Sequence, residues 1–402
     1  METRVFQDAA AEAAEIIKNG GLVAVPTETV YGLACSGLDD AAVRRVYEVK
    51  GRPAIKPLSL MITGGEAMDE YCVDVPEQAR ALAKRFWPGP LTIILRSKPV
   101  IPAIVLAGGH TVGLRCPQHP MTLELLRRAG LPFAAPSANP SGQESPKTAE
   151  QVLRYFSGSI EAVIDGGECG IGRESTIIDM SAVPYKILRQ GALYGETVAD
   201  ALADGLKIVG VTGGTGCGKT TALRELEGLG AMVIDCDRVY HELLGSDAKL
   251  LRELEDGFPG VVVGGALDRK ALGARVFSDG DALSRLNEIT HRHIMLEVRR
   301  RLRDHAMSGG RVAAIDAIEL ISSGLGRSCT ATVAVLASRE RRVARIMTRD
   351  GISREYACLR IDAQRPDQYY RDNCGYVLYN DDGEEQFKLE CITLFKEILK
   401  DG

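Results

Sequence analysis

The sequence has no C-x-x-C pair. Its ten cysteines are scattered from Cys35 to Cys391, which argues against a zinc ribbon or a disulfide-stapled secreted scaffold and for reduced thiols in a cytoplasmic chain. The amino-terminal stretch carries no charged-then-apolar signal pattern, and no apolar run approaches the ~18 residues of a membrane span. Short-period repeats and low-complexity tracts are absent. A strong basic excess is missing too. Split at residue 205, the first part has 20 Lys+Arg against 24 Asp+Glu, and the second has 29 against 30. Neither balance suits a domain that holds nucleic acid mainly through its phosphates. What remains is a globular composition in 402 residues, too long for one core and enough for two domains of about 200 residues each.

The most informative stretch is Gly213-Gly214-Thr215-Gly216-Cys217-Gly218-Lys219-Thr220. It fits G-x-x-x-x-G-K-[ST], a loop that wraps nucleotide phosphates. The apolar run Ile208–Val211 precedes it and a helical pattern from Thr221 follows, the strand–loop–helix context the pattern requires. Gly213, Gly216 and Gly218 let backbone N–H groups approach phosphate, with Gly214, Thr215, Cys217 and Thr221 completing the ATP-binding stretch. Lys219 would reach the β- and γ-phosphates, and the Thr220 hydroxyl would bind Mg²⁺. A short strand, residues 231–234, then ends in Asp235-Cys236-Asp237. One aspartate could accept a hydroxyl proton and the other organise Mg²⁺, or one could cap the helix that follows.

A whole domain's length precedes this loop. Its loops repeatedly set polar or cationic groups beside Gly or Pro at expected strand ends. They are Pro26-Thr27-Glu28-Thr29-Val30-Tyr31-Gly32-Leu33, Lys50-Gly51-Arg52-Pro53 with Lys56-Pro57, and Pro88-Gly89-Pro90-Leu91-Thr92. Val112-Gly113-Leu114-Arg115-Cys116-Pro117, Ser137-Ala138-Asn139, Glu174-Ser175-Thr176 and Leu188-Arg189-Gln190-Gly191 follow. Each alone reads as turn chemistry. Converging on one sheet edge, they read as a site for a polyanion with polar groups.

In this order the set resembles the signature of YrdC-type threonylcarbamoyl-adenylate synthases, over residues 8 to about 194. The resemblance implies a twisted α/β domain that converts L-threonine, bicarbonate and ATP to threonylcarbamoyl-AMP and pyrophosphate, for tRNA modification. Lys50 and Arg52, with Lys56, would hold the triphosphate and take up charge as pyrophosphate leaves. Ser137, Asn139, Ser175 and Arg189 would fix phosphate and adenosine groups. Thr29, Tyr31 and Arg115 would hold threonine, Arg115 by forking onto its carboxylate. Gln190 and Cys116 depart from the family pattern but leave both arginines intact.

The second half resembles dephospho-coenzyme A kinases. The resemblance rests on Asp235-Cys-Asp237-Arg-Val239-Tyr-His241-Glu-Leu243, Leu267–Leu272, Val276-Phe277, Leu286–His291, Arg345–Ser353 and Tyr379-Asn380-Asp381. It implies a P-loop three-layer α/β/α domain with a parallel sheet, and transfer of the ATP γ-phosphate to the 3′-hydroxyl of dephospho-coenzyme A. Asp237 would be the base, Asp235 with Thr220 would serve Mg²⁺, and Arg345 and Arg349 would neutralise phosphate when a lid closes. Arg341 and Arg342 read as a solvated helix face. Ile318, Ser322 and Arg292 stand where the family has other residues, so the acceptor pocket is where this half departs most. His241, His291 and His293 do not make a metal set; packing or substrate contact is expected of them.

The expected organisation is a synthase domain at 1–194, a short linker at 195–206 and a kinase-like domain at 207–402. Expected cofactors are ATP and Mg²⁺. Expected partners are the small-molecule substrates and tRNA-modification proteins, with tRNA contact weak or indirect and no membrane. The alternative is an RNA-binding module fused to a P-loop kinase for another small hydroxyl acceptor.

Overall fold

A computed structural model describes residues 2–7, 9–276 and 279–400; Phe277 lies outside the described residues. The chain divides into two compact units, 1–205 with 307–309, and 206–306 with 310–402.

The first unit is built on one mixed sheet. Its strands are β1 (Arg4–Phe6), β2 (Val23–Val25), β3 (Gly32–Ser36), β4 (Ser59–Met61), β5 (Leu91–Arg96), β6 (Thr111–Arg115), β7 (Phe133–Ala134), β8 (Ala162–Ile164), β9 (Thr176–Asp179) and β10 (Lys186–Arg189). They lie in the order β1-β8-β2-β3-β7-β4-β6-β5-β9-β10. The strands β2, β3, β7 and β8 are buried throughout, which is why they read as short continuous apolar runs rather than alternating ones. Local chemistry fixes the element ends. The helix Asp40–Lys50 is capped by Asp39, whose carboxylate accepts from Ala41 N and Ala42 N. It stops at Gly51, whose φ of 57° suits a residue without Cβ. That stop sets Lys50 at the helix end and Arg52 in the loop beyond it.

Residues 195–206, expected as a linker, are mostly the helix Gly195–Ala203. It packs against the helix Glu77–Phe86 of the first unit, and the Arg85–Asp204 ion pair at 2.7 Å lies beside that contact. Val198, Ala201 and Leu202 are the buried face that the residue-by-residue pattern of a linker would not need.

The second unit has a five-stranded, wholly parallel sheet. Its strands are β11 (Lys207–Thr212), β12 (Met232–Asp235), β15 (Val312–Asp316), β16 (Ala331–Leu336) and β17 (Tyr376–Tyr379), ordered β12-β15-β11-β16-β17. A small hairpin, β13 (Val262–Val263) and β14 (Ala266–Leu267), stands apart from it. Alternation along β16 separates the layers. Val333 and Val335 join the core with Leu226, Phe387 and Phe395 of the helices Lys219–Gly228 and Glu384–Lys400. Ala334 and Leu336 pack with Tyr370 of the helix Asp367–Asn373. Helices therefore cover both faces, the three-layer arrangement expected. No described helix is long and apolar enough to cross a membrane.

Candidate active sites

In the first unit the ends of β3, β4, β6, β9 and β10 converge on a cavity of about 200 Å³. The turn leading into β3 is held by its own hydroxyls. Thr27 Oγ1 accepts from Thr29 N and Val30 N and donates to Val30 O at 2.6 Å. Both threonines are buried, so this is an ordered wall rather than a solvated turn. Arg115, at the end of β6, donates from Nη2 to Glu28 Oε1 and to Thr29 Oγ1, each at 2.8 Å. Glu28 Oε2 accepts from Gln118 N. Arg115 Nε is buried with no partner, an N–H that a bound carboxylate would satisfy. Arg189, which also lines the cavity, donates to Glu174 Oε2 at 2.5 Å, Ser175 O at 3.0 Å and Ser175 Oγ at 3.1 Å. Ser175 Oγ also meets Thr92 Oγ1 at 2.9 Å. Burial pulls the Arg52 and Arg189 guanidinia below the ordinary arginine value, with Glu174 pulling both the other way.

Thr29, Tyr31, Arg52, Arg115, Ser137, Ser175 and Arg189 line this cavity, as do Thr92, Glu174 and Ser59, which sequence reasoning did not assign a role. Thr92 and Glu174 did lie inside stretches singled out there. Three expected residues stand elsewhere. Lys56 is exposed on the loop outside the cavity. Asn139 is buried, with its amide nitrogen donating to Pro140 O and Gln143 O and its Oδ1 unpartnered. Lys50 is buried behind the wall, its ammonium held by the carbonyls of Ser137 and Asn139. Burial, then the charge of Arg52, pushes Lys50 down to about 7, against the opposing pull of Glu174. Tyr31 contributes its ring, but its hydroxyl already donates to Gly167 O at 2.8 Å and accepts from Gly166 N.

In the second unit the loop after β11 borders a cavity of about 390 Å³ lined by Gly214, Thr215, Gly216, Gly218, Lys219, Thr220, Asp237, Asp316, Arg345, Arg349 and Arg360 among others. Gly213 has φ of 140° and Gly218 of 104°. A Cβ on Gly213 would come within 2.2 Å of Val335 O, and one on Gly218 within 2.0 Å of Asn380 Nδ2, so close packing as well as backbone freedom demands glycine here. Lys219 Nζ donates to Gly213 O at 3.1 Å, folding the ammonium back over the loop. Cys217 is buried and, with Thr221, does not line the cavity.

The paired aspartates divide their roles. Asp235 is the helix cap, its Oδ1 accepting from Asp237 N at 2.9 Å and Arg238 N at 3.0 Å. The cap uses Oδ1, and Asp235 does not itself line the cavity. Asp316, at the end of β15, stands beside Asp235 in register and does line it. Its Oδ1 is buried without a partner. Burial raises Asp316 to about 6; Lys219 opposes this, while Asp235 and Asp237 add to it. A divalent cation fits that donor set: an unpartnered carboxylate oxygen and the Thr220 hydroxyl from residues lining one cavity, with room for the waters Mg²⁺ keeps. Among the described residues no group of three or more His, Cys, Asp or Glu side chains could cage a metal unaided.

Four arginines surround the loop. Arg345 donates to Gly216 O, Cys217 O and Asn380 O, so it braces the loop as well as bordering the cavity. Arg342, read as solvated, is buried and donates to Thr215 O at 3.0 Å. Arg349 and the unforeseen Arg360 both pair with Asp350 at the cavity edge.

Asp237 and Ile318 also line a second, more apolar cavity of about 220 Å³, with Cys236, Tyr240, Asn287, Thr290, His291 and Glu319. Burial lowers His291, with Glu319 pulling the other way. His293 lies outside it, its ring nitrogens facing Asp247 Oδ2 at 2.7 Å and Glu253 Oε2 at 3.1 Å. Ser322 and Arg292 also stand outside it; Arg292 pairs with Glu253.

Residues 15–191 match the Sua5/YciO/YrdC family model, described as Telomere recombination. Residues 207–386 match the model described as Dephospho-CoA kinase. A threonylcarbamoyl-AMP synthase of Pyrococcus abyssi is 45% identical over 213 residues, covering 48% of this chain and 63% of that protein. The chain thus spans less than two thirds of that relative. The threonylcarbamoyl-AMP synthase of Mus musculus is 36% identical over 194 residues, covering 46% of this chain and 67% of its own. A solved dephospho-CoA kinase from Campylobacter jejuni is 23% identical, covers 48% of this chain and 97% of its own, and has a TM-score of 0.33. The chain belongs to the Sua5/YciO/YrdC family through its first half and carries a dephospho-CoA kinase domain in its second.

Proposed function

We propose that the protein is a bifunctional enzyme with two independent ATP sites. The first unit forms threonylcarbamoyl-AMP and pyrophosphate from L-threonine, bicarbonate and ATP. The observation that carries this is Arg115, anchored by Glu28 and Thr29 yet keeping a buried, unpartnered Nε. It holds the threonine carboxylate in a cavity that Arg189, Arg52, Ser137 and Ser175 also line. The threonine amine first bonds to the carbon of bicarbonate and water is lost, giving the carbamate; a carbamate oxygen then attacks the α-phosphorus, the bond to pyrophosphate breaks, and the arginines take up the separating charge. No side chain is required as a general base; catalysis is positioning and charge neutralisation. Lys50 holds the carbonyls of Ser137 and Asn139 and so orders the loop that carries Ser137.

The second unit transfers the γ-phosphate of ATP to the 3′-hydroxyl of dephospho-coenzyme A. This reading rests on Asp237, which borders both the phosphate-loop cavity and the apolar cavity beside it. A hydroxyl from an acceptor in the second cavity meets the γ-phosphate at this carboxylate, which takes its proton. Lys219, Arg349 and Arg360 neutralise the phosphate oxygens. Thr220 and Asp316 would hold Mg²⁺, which supplies charge neutralisation at the phosphates when bound.

Two assays on the purified chain test the readings separately. ATP with dephospho-coenzyme A must yield coenzyme A, and ATP with threonine and bicarbonate must release pyrophosphate. A silent first assay sinks the kinase claim, and a silent second sinks the synthase claim.

A further inference from the structure

The phosphate loop contains three glycines at positive φ, at 213, 216 and 218. Such a chain has no intrinsic preference for turning its amides toward a ligand. Its outward carbonyls are individually taken. Thr215 O accepts from Arg342 Nε at 3.0 Å, Gly216 O from Arg345 Nη1 at 3.2 Å, and Cys217 O from Arg345 Nη1 at 3.3 Å and Asn380 Nδ2 at 3.0 Å. These peptides are trans. In a trans peptide the C=O of one residue and the N–H of the next point opposite ways. Drawing the carbonyls of 215, 216 and 217 to one side therefore turns the N–H groups of Gly216 and Gly218 to the other, while Cys217 N donates within the loop to Gly214 O at 3.3 Å.

Thr215 is gripped on every polar atom. Gln364 Oε1 accepts from Thr215 N at 2.9 Å, and Gln364 Nε2 donates to Thr215 Oγ1 at 2.7 Å. Arg342 Nη2 closes the ring by donating to Gln364 Oε1 at 2.7 Å. A side chain on Gly214 would break this arrangement, because its Cβ would lie 2.2 Å from Arg342 Nη2 and 2.8 Å from Gln364 Oε1. Arg342 sits on the helix Arg339–Asp350, and Gln364 lies just beyond the helix Arg354–Asp362. These two helices pack on each other through Val343, Ile346, Ala357 and Ile361. They also carry Arg349 and Arg360 to the cavity edge.

We propose that Gln364 and Arg342 are positioning residues that fix the phosphate loop in its anion-accepting orientation and couple it to the helix pair bearing Arg349 and Arg360. The inference rests on reading Gly213–Thr220 as an ATP loop. Gln364 touches no phosphate; it acts through Thr215, so its removal should weaken ATP binding while leaving the acceptor cavity and the base untouched.

The test compares Gln364→Leu with Gln364→Glu in the full chain. Glutamate retains acceptors for Thr215 N and Arg342, and the Thr215 hydroxyl can turn to donate to it; leucine retains none of these contacts. Calorimetric titration of ATP gives the affinity of the loop site, defined as the binding event that Lys219→Ala abolishes. Steady-state assays give kcat and both KM values. Gln364→Leu should weaken that site and raise KM for ATP at least tenfold, with kcat and the acceptor KM within threefold of wild type. Gln364→Glu should stay within threefold throughout. Unchanged ATP affinity in Gln364→Leu overturns the proposal, as does equal impairment of the two variants. If Gln364→Leu does not fold, Thr215→Val removes the hydroxyl contact alone and should weaken ATP at least threefold; no change there overturns the proposal too. Wild-type ATP binding that depends on Lys219 but yields no coenzyme A would refute the kinase reading and leave this inference standing.

Discussion

Arg115 and Glu28 form an ion pair at 2.8 Å with side chains only 9% and 10% exposed. Their sequence separation is large, yet the pair forms one wall of the first cavity. Breaking such a pair leaves a buried charge without its partner, which costs about 3 kcal/mol or more. Glu28→Ala should therefore lower the stability of the first unit by about 3 kcal/mol and raise the threonine KM as Arg115 loses its anchor. The chain's single tryptophan, Trp87, lies in that unit, so its fluorescence during urea unfolding measures the loss. A midpoint unchanged from wild type would show the pair to be energetically idle.

Asp316 yields a prediction in which stability and activity move in opposite directions. Its folded value of about 6 lies above the ordinary 3.8, so the folded state keeps its proton over a range where the unfolded state releases it. Stability from this group is fully present below about pH 4 and is lost as pH rises through about 6. At pH 7 the charged carboxylate therefore destabilises the unliganded fold, on the order of 2 kcal/mol. Asp316→Asn should melt a few degrees higher than wild type at pH 7 and no higher at pH 4, while kinase turnover falls at least a hundredfold. Scanning calorimetry at the two pH values, with the coenzyme A assay, checks both halves.

Lys50 has the opposite sign. Its folded value of about 7 lies below the ordinary 10.5, so between those values the folded state holds fewer protons and stability rises with pH. Its ammonium is favoured again when a polyanion arrives at the neighbouring Arg52 and Ser137. Binding of ATP to the first unit near pH 8 should then take up close to one proton. Titration in buffers of different ionisation enthalpy, using a Lys219→Ala chain to silence the loop site, measures that number. Lys50→Met should reduce it to about zero.

The loop Gly213–Thr220 was legible because its pattern is contiguous and its strand and helix are its immediate neighbours. The cluster of polar loops in the first unit was legible for a related reason: each is a short stretch at the end of an apolar run. Asp316 was not, because its place depends on β15 lying between β11 and β12, where it pairs in register with Val211 and Asp235. Gln364 is 149 residues from Thr215, and no local spacing connects them. Arg342 read as a solvated face because three arginines crowd residues 339–342; only tertiary packing selects which of them turns inward. Lys50 read as a phosphate ligand from its charge, but the carbonyls of Ser137 and Asn139 reach it first. Cations were easy to find in the sequence, whereas their competing acceptors were supplied by the fold.

Asp237 offers the sharpest separation of the two active sites. It lines the phosphate-loop cavity and the apolar cavity together, while Asp235 two residues before it caps the helix, its Oδ1 accepting from two amides. If Asp237 takes the acceptor proton, Asp237→Asn retains size and removes the base. General-base loss lowers kcat by about 10²–10⁴-fold. ATP affinity at the Lys219-dependent site should change less than threefold, since the loop amides, Lys219 and the arginines remain. Asp235→Ala should instead cost about 1 kcal/mol of stability as the cap is lost and spare most of kcat. Pyrophosphate release with threonine and bicarbonate should be unaffected by either change, because the first cavity is lined wholly by residues of the first unit. Steady-state kinetics of both reactions on the two variants decide the matter. Equal kcat losses for Asp235→Ala and Asp237→Asn would remove Asp237 from its role as the base.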